Sequence, residues 1–262
     1  MNRLEKPSPS KTVAKFSDPN WTAAGDRRAC VPLARLETLW FNTGTLCNIE
    51  CLNCYILSSP KNNALVYLTA ADVTTYLDEI ARDNWTVREI GFTGGEPFMN
   101  PAMIAMAEAA LSRGFEVLIL TNAMRPMMRP KVQMGLKQLA ETYGEKLTLR
   151  VSLDHYSEEN HDRERGVGTF ARTLDGMRWL RDNRVRMTVA GRTIWGECDA
   201  VGRSGYAELF ARESFGIDAS NPGDCVLFPE MDGGTEVPEI TEACWGILGK
   251  QPTDVMCASS RM

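Results

Sequence analysis

The sequence predicts an α/β fold in which parallel strands form an open sheet or a barrel. Short apolar strands alternate with amphipathic helices of about 10 to 15 residues, as repeated βαβ units require. In the segment 147–154, leucines and a valine share one face, while Arg150, Ser152 and Asp154 share the other. A fully buried parallel strand is nearly all apolar, so this polar face favours a barrel with a site inside it.

The first three elements follow from local patterns. Residues 38–44 alternate between two faces as a half-buried strand does. Thr69 and Asp72 form a capping-box-like start for a helix over about 69–83, in which apolar side chains recur at helical spacing. The segment 87–95 is typical of a strand that runs into a glycine turn.

The same alternation continues along the chain. The further predicted elements are a helix opened by Asn100-Pro101 and ended by Gly114, strands at 115–122 and 147–154, a helix carrying Phe170 and Leu180, and a strand at 185–189.

The composition is that of an ordinary globular protein. Of 262 residues, 44% are hydrophobic and 24% are charged, and the net charge is -5. Because the basic residues are scattered, we expect neither a nucleic acid nor a membrane as a partner. The first residues lack the apolar core of a secretory signal, and no stretch approaches the roughly 20 apolar residues of a membrane span. We therefore expect a cytoplasmic protein.

Eight cysteines are too few for a fold held by disulfides, and three of them crowd together. Cys47, Cys51 and Cys54 form a C-x3-C-x2-C run directly after the first strand. Four cysteines ordinarily hold a [4Fe-4S] cluster, so three leave one iron open to a substrate or cosubstrate. A zinc site normally needs a fourth ligand, and neither histidine lies nearby in the sequence. Zinc and plain buried thiols are the alternatives.

Cys47, Cys51 and Cys54, followed by Tyr55, resemble the signature of the radical S-adenosylmethionine (radical SAM) superfamily. The resemblance implies that the open iron binds the amino and carboxylate groups of SAM, and that one electron cleaves the C5′–S bond to give a 5′-deoxyadenosyl radical. It also implies a partial (β/α)6 TIM-like barrel with a short irregular C-terminal extension. In such an enzyme the cofactors supply the radical chemistry and the protein positions and shields it.

The segment GFTGGEP, about 40 residues after the cysteines, is similar to the GGEP segment of that superfamily. Two glycines let a backbone approach a ligand closely, and Glu96 can accept hydrogen bonds from an ammonium group. A simple strand-to-helix turn is the alternative. The resemblance implies that Gly94, Gly95, Glu96 and Pro97 hold the methionine end of SAM.

Weaker similarities add candidates further along the chain. Thr121-Asn122 and Ser152 resemble polar strand-end positions of the superfamily, and Ile194 loosely fits a segment that contacts adenine. The resemblance assigns Tyr55, Asn122, Ser152 and Ile194 to cofactor binding. Candidates for polar contacts with the substrate are Thr121, Arg150, Asp154 and Arg192, although strand ends are polar for other reasons too.

The segment 161–180 is close to its counterpart in the branch that includes molybdenum-cofactor enzyme A and the SPASM/twitch maturases. That branch carries an auxiliary iron–sulfur cluster after the barrel, so Cys244 and Cys257, with Cys225, are candidate ligands of a second cluster. Free thiols are the alternative. We expect His161 to be a surface or helix-capping residue rather than a metal ligand.

These observations predict an N-terminal arm (1–35), a radical SAM core barrel (36–216) and a C-terminal extension (217–262). The implied function is a radical SAM enzyme that abstracts hydrogen from an unidentified peptide or small molecule. An electron donor of the flavodoxin or ferredoxin type would reduce it. One alternative is a non-catalytic iron–sulfur or zinc protein that senses redox state or scaffolds a partner. Another is a nucleotide-binding descendant of the fold without a cluster.

Overall fold

The structure is a computed structural model that describes residues 14–229 and 236–262. The described residues fall into two compact units, one of 14–36 with 236–261 and the other of 37–229. Among these residues, no helix combines the length and the apolar character that crossing a membrane requires.

In the larger unit, strands alternate with helices. Its strands are β1 (Thr38–Asn42), β2 (Glu89–Thr93), β3 (Glu116–Thr121), β4 (Leu147–Ser152), β5 (Met187–Arg192) and β6 (Cys225–Phe228). Its helices are α1 (Ala70–Arg82), α2 (Met103–Leu111), α3 (Pro130–Tyr143), α4 (Glu158–Arg165), α5 (Thr169–Asp182) and α6 (Asp199–Glu213), with short 3-10 turns at Pro97–Met99 and Gly144–Lys146.

The six strands lie side by side in chain order, and every neighbouring pair from β1 to β6 is parallel. This order, with helices between the strands, confirms the predicted partial (β/α)6 TIM-like barrel. The carboxyl ends of all six strands therefore lie at one end of the barrel. Loops at that end carry the functional residues in barrels of this kind.

Local patterns account for the elements that the sequence predicts. Thr69 Oγ1 accepts a hydrogen bond from Asp72 N at 3.2 Å, and Asp72 Oδ2 accepts one from Thr69 N at 2.9 Å, which completes the predicted capping box of α1. In β4, buried leucines and a valine alternate with half-buried Thr148, Arg150 and Ser152. The two faces of this strand are therefore those that its sequence predicts.

The structure has three helices and one strand that the sequence patterns do not predict. The helices are α3, α4 and α6, although Pro130 at the start of α3 and Gly144 after it are sequence signals of helix ends. Strand β6 lies inside the range 217–262 that the sequence analysis assigns to the extension. A four-residue strand is too short for its alternation to be recognised. The barrel therefore continues past residue 216.

The smaller unit joins two segments that the sequence analysis kept apart. Arg28 forms an ion pair with Glu239, and Ala29 N donates to Ile240 O at 2.9 Å. Neither segment has an apolar periodicity from which the pairing of the two segments could be predicted. The elements of the unit are α7 (Ala243–Leu248), β7 (Ser260–Arg261) and 3-10 turns at Pro252–Asp254 and Met256–Ala258.

Candidate active site

Two loops meet at the carboxyl ends of β1 and β2. They are the cysteine loop, residues 43–58, and the glycine-rich loop, residues 94–97. Gly95 N donates to Gly44 O at 2.8 Å, and Glu96 N donates to Leu46 O at 3.1 Å. These two backbone hydrogen bonds fix the predicted methionine-binding segment against the chain that leads into the first cysteine.

Both glycines are required because the chain approaches itself closely. A Cβ atom on Gly95 would lie 2.2 Å from Leu46 O, and one on Gly94 would lie 2.6 Å from Gly44 O. Gly94 also has a φ of +148°, which residues with side chains rarely adopt. The sequence pattern predicts the close approach of a ligand as the reason for the two glycines. In the structure, the group that excludes a side chain is the backbone of the cysteine loop.

Burial dominates the electrostatics of the first two thiols. It raises the pKa of Cys47 to about 12, and the nearby charge of Glu96 acts in the same direction. Burial also raises the pKa of Cys51, while the positive charge of Arg165 opposes the shift at both cysteines. A raised pKa keeps these thiols protonated at neutral pH. Metal binding would release the protons, because the thiolate is the form that binds metal.

The donor set fits an iron–sulfur cluster. Thiolates are soft ligands that suit iron–sulfur centres, and hydrogen bonds to the sulfurs tune such clusters. Ser58 N donates to Cys54 Sγ at 3.2 Å, and Asn122 Nδ2 lies 3.9 Å from Cys47 Sγ. Within the part of the chain that the structure describes, no three His, Cys, Asp or Glu side chains lie close enough to hold one metal ion. A [4Fe-4S] cluster does not need that arrangement, because each cysteine binds a different iron.

The carboxylate of Glu96 is buried and joins the ends of β2 and β3. Its Oε1 accepts hydrogen bonds from Thr121 Oγ1 at 2.9 Å and Phe98 N at 3.1 Å. Its Oε2 accepts one from Asn122 N at 2.8 Å. Burial raises the pKa of Glu96 to about 7, although these three hydrogen bonds oppose the shift. Glu96 therefore braces the site, and its contact with an ammonium group stays a prediction.

Thr121, the last residue of β3, and Asn122, which follows it, both donate hydrogen bonds to Glu96. Thr121 Oγ1 donates to Glu96 and accepts from Ala123 N at 3.0 Å, so this hydroxyl is already engaged within the protein. Asn122 Nδ2 donates to Asn48 Oδ1 at 2.9 Å. Asn122 thus links the third strand to the cysteine loop, whereas Thr121, predicted to contact the substrate, is a partner of Glu96.

A buried charge network follows β4 and β5. Arg165 donates to Asp154 through Nε at 2.7 Å and through Nη2 at 3.0 Å, and Arg192 Nε lies 3.6 Å from the same carboxylate. Burial alone would raise the pKa of Asp154, but the two guanidinium groups lower it overall. Asp154 and Arg192 were predicted to contact the substrate. The structure pairs Asp154 with both Arg165 and Arg192, and the contacts of Asp154 and Arg192 with a substrate stay a prediction.

Sequence reasoning missed Arg165. Its positive charge favours the thiolate forms of Cys47 and Cys51, and its own pKa is raised by Asp154 although burial acts against this. The signal was present in the segment HDRERG, but two arginines stand there and the pattern does not distinguish them. Arg163 is the exposed one, paired with Glu159 at the surface.

The structure contradicts the prediction for His161. This side chain is fully buried in α4, neither ring nitrogen has a hydrogen-bond partner among residues 14–229 and 236–262, and the ring lies edge-on to Phe170. Burial lowers the pKa of His161 to about 4, so the imidazole is neutral at pH 7. The polar sequence of α4 gives no apolar face by which its inner side could be recognised.

Arg150 lies on the expected face but reaches towards the other end of the barrel. Its guanidinium donates to Thr188 Oγ1 at 3.1 Å and Gly223 O at 3.2 Å. It lines a cavity of about 490 Å³ together with Glu89 and Glu116, the first residues of β2 and β3. The amino ends of the strands lie there, whereas the cysteine loop follows a carboxyl end. The structure does not bring Arg150 together with the cysteines.

The remaining cofactor candidates lie at carboxyl ends of strands. Tyr55 is 67% exposed, and its hydroxyl lies 3.4 Å from Thr93 Oγ1 at the end of β2. Ser152 is the last residue of β4 and is half-buried. Ile194 follows β5 and is half-buried, and Pro97 begins the 3-10 turn after the glycines. Their contacts with SAM stay predictions.

The cysteines proposed for a second cluster have different surroundings. Cys225 is fully buried in β6 within the hydrophobic core, and burial raises its pKa to about 11. Cys244 lies in the first turn of α7, where a hydrogen bond from Thr241 N at 3.4 Å lowers its pKa. Cys257 is exposed. Burial of Cys225 among apolar side chains is typical of a packing residue.

The sequence is similar to known proteins over the region that carries this site. The Radical SAM superfamily profile matches residues 41–195. Over 154 residues the chain is 31% identical to the antilisterial bacteriocin subtilosin biosynthesis protein AlbA of Bacillus subtilis, across 57% of this chain and 32% of AlbA. Over 153 residues it is 29% identical to the AdoMet-dependent heme synthase of Methanosarcina barkeri, across 56% of this chain and 41% of that enzyme.

The fold is also similar to solved structures. Streptococcus suis SuiB bound to S-adenosylmethionine aligns with a TM-score of 0.60 at 14% identity, across 83% of this chain and 47% of SuiB. SuiB bound to its precursor peptide SuiA aligns with a TM-score of 0.56 at 14% identity, across 69% of this chain and 38% of that chain. At this identity the likeness concerns the fold. The chain spans less than half the length of each of these relatives.

Proposed function

Because this chain belongs to the radical SAM superfamily, we propose that Cys47, Cys51 and Cys54 hold a [4Fe-4S] cluster with which the protein cleaves SAM and abstracts hydrogen from a peptide. When bound, the cluster and SAM supply a 5′-deoxyadenosyl radical by one-electron reduction of the sulfonium. The residues of the chain bind, orient and shield these groups.

The observation that carries this proposal is the contact between the cysteine loop and the glycine-rich loop. Gly95 N and Glu96 N donate to carbonyls of the cysteine loop, and no side chain fits between the two backbones. The chain that leads into Cys47 and the segment proposed for the methionine end of SAM are therefore in direct contact, which supports a site shared by the cysteine loop and this segment. A cosubstrate that bridges the open iron and this segment needs that proximity.

Charged and polar residues around the loops have supporting roles in the proposal. Arg165 offers a buried positive charge that favours thiolates and the negative charge of a reduced cluster. Glu96, Thr121 and Asn122 keep the ends of β2 and β3 in register with the cysteine loop. Tyr55, Ser152 and Ile194, with Pro97, are the side chains that we assign to the rest of SAM.

We assign a peptide as the substrate class. AlbA is named for the biosynthesis of a bacteriocin, and SuiB is described in complex with a precursor peptide, so two relatives concern peptide substrates. The heme synthase is the counter-example, because its name concerns a tetrapyrrole. Mass spectrometry of candidate precursor peptides after incubation with enzyme and SAM would detect a mass change. Turnover of a small molecule with no change in any peptide would refute this assignment.

We assign the reduction of the cluster to an electron donor of the flavodoxin or ferredoxin type. We assign the protein to a reducing compartment such as the cytoplasm, which suits its eight free thiols. The proposal of a second cluster rests on Cys244 and Cys257, because Cys225 is buried in the hydrophobic core. Reconstituted protein should contain about four irons per chain with one cluster and about eight with two. About four irons in both the wild type and Cys244→Ala would eliminate the second cluster.

Anaerobic reconstitution followed by dithionite and SAM tests the main proposal. We expect 5′-deoxyadenosine from the wild type and none from Cys51→Ala. Cys198→Ala, which removes an exposed cysteine outside the cysteine loop, should behave as the wild type does. Metal binding without 5′-deoxyadenosine would instead favour a non-catalytic iron–sulfur or zinc protein. Absence of chelatable iron would favour a descendant of the fold without a cluster.

A further inference from the structure

The middle of the cysteine loop is held by the last turn of α4. Asn53 N donates to Glu164 Oε1 at 2.8 Å, and Asn53 Nδ2 donates to Glu164 Oε2 at 2.9 Å. Leu52 N donates to the main-chain oxygen of the same glutamate at 3.0 Å. The two residues between Cys51 and Cys54 are therefore both bound to one residue that lies more than 100 positions away in the sequence.

We propose that Glu164 is a positioning residue of the candidate cluster site, which holds Asn53 and thereby keeps the Cys51 and Cys54 thiols in the arrangement that a cluster binds. The proposal rests on the proposed function for the identity of the bound group. The geometry of the loop itself does not depend on that function.

The surroundings of Glu164 support a positioning role. The residue is 2% exposed, and a carboxylate is rarely buried unless its oxygens are paired. The two hydrogen bonds to Asn53 explain the buried carboxylate, because charge-assisted bonds of this kind are among the stronger ones in proteins.

The contact between Glu164 and Asn53, which we call the clamp, is connected to the carboxyl ends of β4 and β5. Arg165, the next residue after Glu164, forms the two-bond ion pair with Asp154 after β4. From the other side, Arg192 at the end of β5 donates to Asn53 O at 2.9 Å. The cysteine loop is therefore attached to two strands that are not its neighbours in the sheet. A loop held at its middle in this way loses little further conformational entropy when it binds a cluster.

An exchange of the two side chains tests the proposal. Asn53→Asp alone places two carboxylates against each other, whereas Glu164→Gln alone replaces two charge-assisted hydrogen bonds with weaker bonds between neutral amides. In the double variant a donor again faces an acceptor, because the amide at 164 donates to the carboxylate at 53. Glu159→Gln is the matched control, since this exposed glutamate lies on the same helix and pairs only with Arg163 among the described residues.

The first readout is alkylation of each cysteine in the metal-free protein, followed by mass spectrometry. We expect labelling of Cys51 and Cys54 to be about tenfold faster in Asn53→Asp and about threefold faster in Glu164→Gln, with the double variant within about twofold of the wild type. Glu159→Gln should label as the wild type does. Cys225, fully buried in β6, should remain slow throughout and reports any global unfolding.

The second readout is the rate at which a chelator removes iron from the reconstituted protein, which should follow the same order. Equal labelling in the wild type and both single variants would overturn the proposal. So would a double variant that labels as fast as Asn53→Asp. If Asn53→Asp unfolds, rapid Cys225 labelling reveals it, and Glu164→Gln then decides the question. Wild-type protein that fails to cleave SAM would refute the proposed function, while the labelling still decides the clamp.

Discussion

Replacement of Gly95 by alanine tests whether the contact between the two loops depends on the absence of a side chain. The added Cβ would lie 2.2 Å from Leu46 O, 2.6 Å from Leu46 C and 2.8 Å from Thr45 O. All three atoms belong to the backbone, so no side chain can rotate away. Gly95 has no positive φ, and the effect therefore comes from space rather than from conformation.

The cysteine loop has to move to accommodate this methyl group. Overpacking of this kind costs about 1–3 kcal/mol, and the displaced loop also weakens the hydrogen bonds from Gly95 and Glu96. We expect a fall of about 2 kcal/mol in the free energy of unfolding, measured by urea denaturation, and at least a tenfold loss of SAM cleavage.

Gly202→Ala is the control for this experiment. Gly202 lies in α6, where a Cβ would be 3.8 Å from its nearest neighbour, which is an ordinary contact. Alanine has a higher helix propensity than glycine, so stability should rise by up to about 1 kcal/mol. A Gly95→Ala protein with wild-type stability and wild-type SAM cleavage would show that the loops are not packed as the structure has them.

Three further predictions concern stability. Asp154→Ala should lower the free energy of unfolding by about 3–5 kcal/mol in urea titrations, because it leaves the buried guanidinium of Arg165 without its carboxylate; a loss below 1 kcal/mol would contradict the pairing. Burial raises the pKa of Glu96 from 4.5 to about 7, so the folded protein binds the proton more tightly than the unfolded chain. Its contribution is present below pH 4.5 and is lost as the pH rises to about 7. Relative to Glu96→Gln, the wild type should lose about 3 kcal/mol across this window, and parallel pH profiles would refute the assignment. Thr69→Ala removes the acceptor for Asp72 N and should cost about 1 kcal/mol, whereas an unchanged denaturation midpoint would mean that this cap contributes nothing.

Information that is local in the sequence was sufficient for the fold class, and it indicated the cysteine loop as the candidate site. Strand alternation, the capping box and the spacing of Cys47, Cys51 and Cys54 each involve residues within about ten positions of one another. Such patterns follow from backbone geometry alone. With the alternation of strands and helices, they predicted a parallel sheet and the loop that follows β1. Strand β6 was not predicted because alternation cannot be recognised over only four residues.

The partners of polar side chains could not be predicted in the same way. Thr121 and Asp154 are polar residues at strand ends, and their sequence gives no sign of whether a substrate or a protein group satisfies them. Parallel pairing of β2 with β3 places Glu96 beside Thr121, and α4 brings Arg165 to Asp154. Burial then makes these contacts obligatory, because an unpaired buried charge is costly.

The sequence by itself supplied three thiols at fixed spacing after a strand, and these residues indicate the chemistry that we propose. The tertiary structure decided which residues support that chemistry. It made Gly95 a packing requirement, turned Arg150 to the other end of the barrel, and joined Glu164 to Asn53 across 111 positions. The physical reason is that the residue types able to bind a metal, and their spacing, are already present in a short stretch of sequence. Support depends on contacts between segments that only the folded barrel brings together.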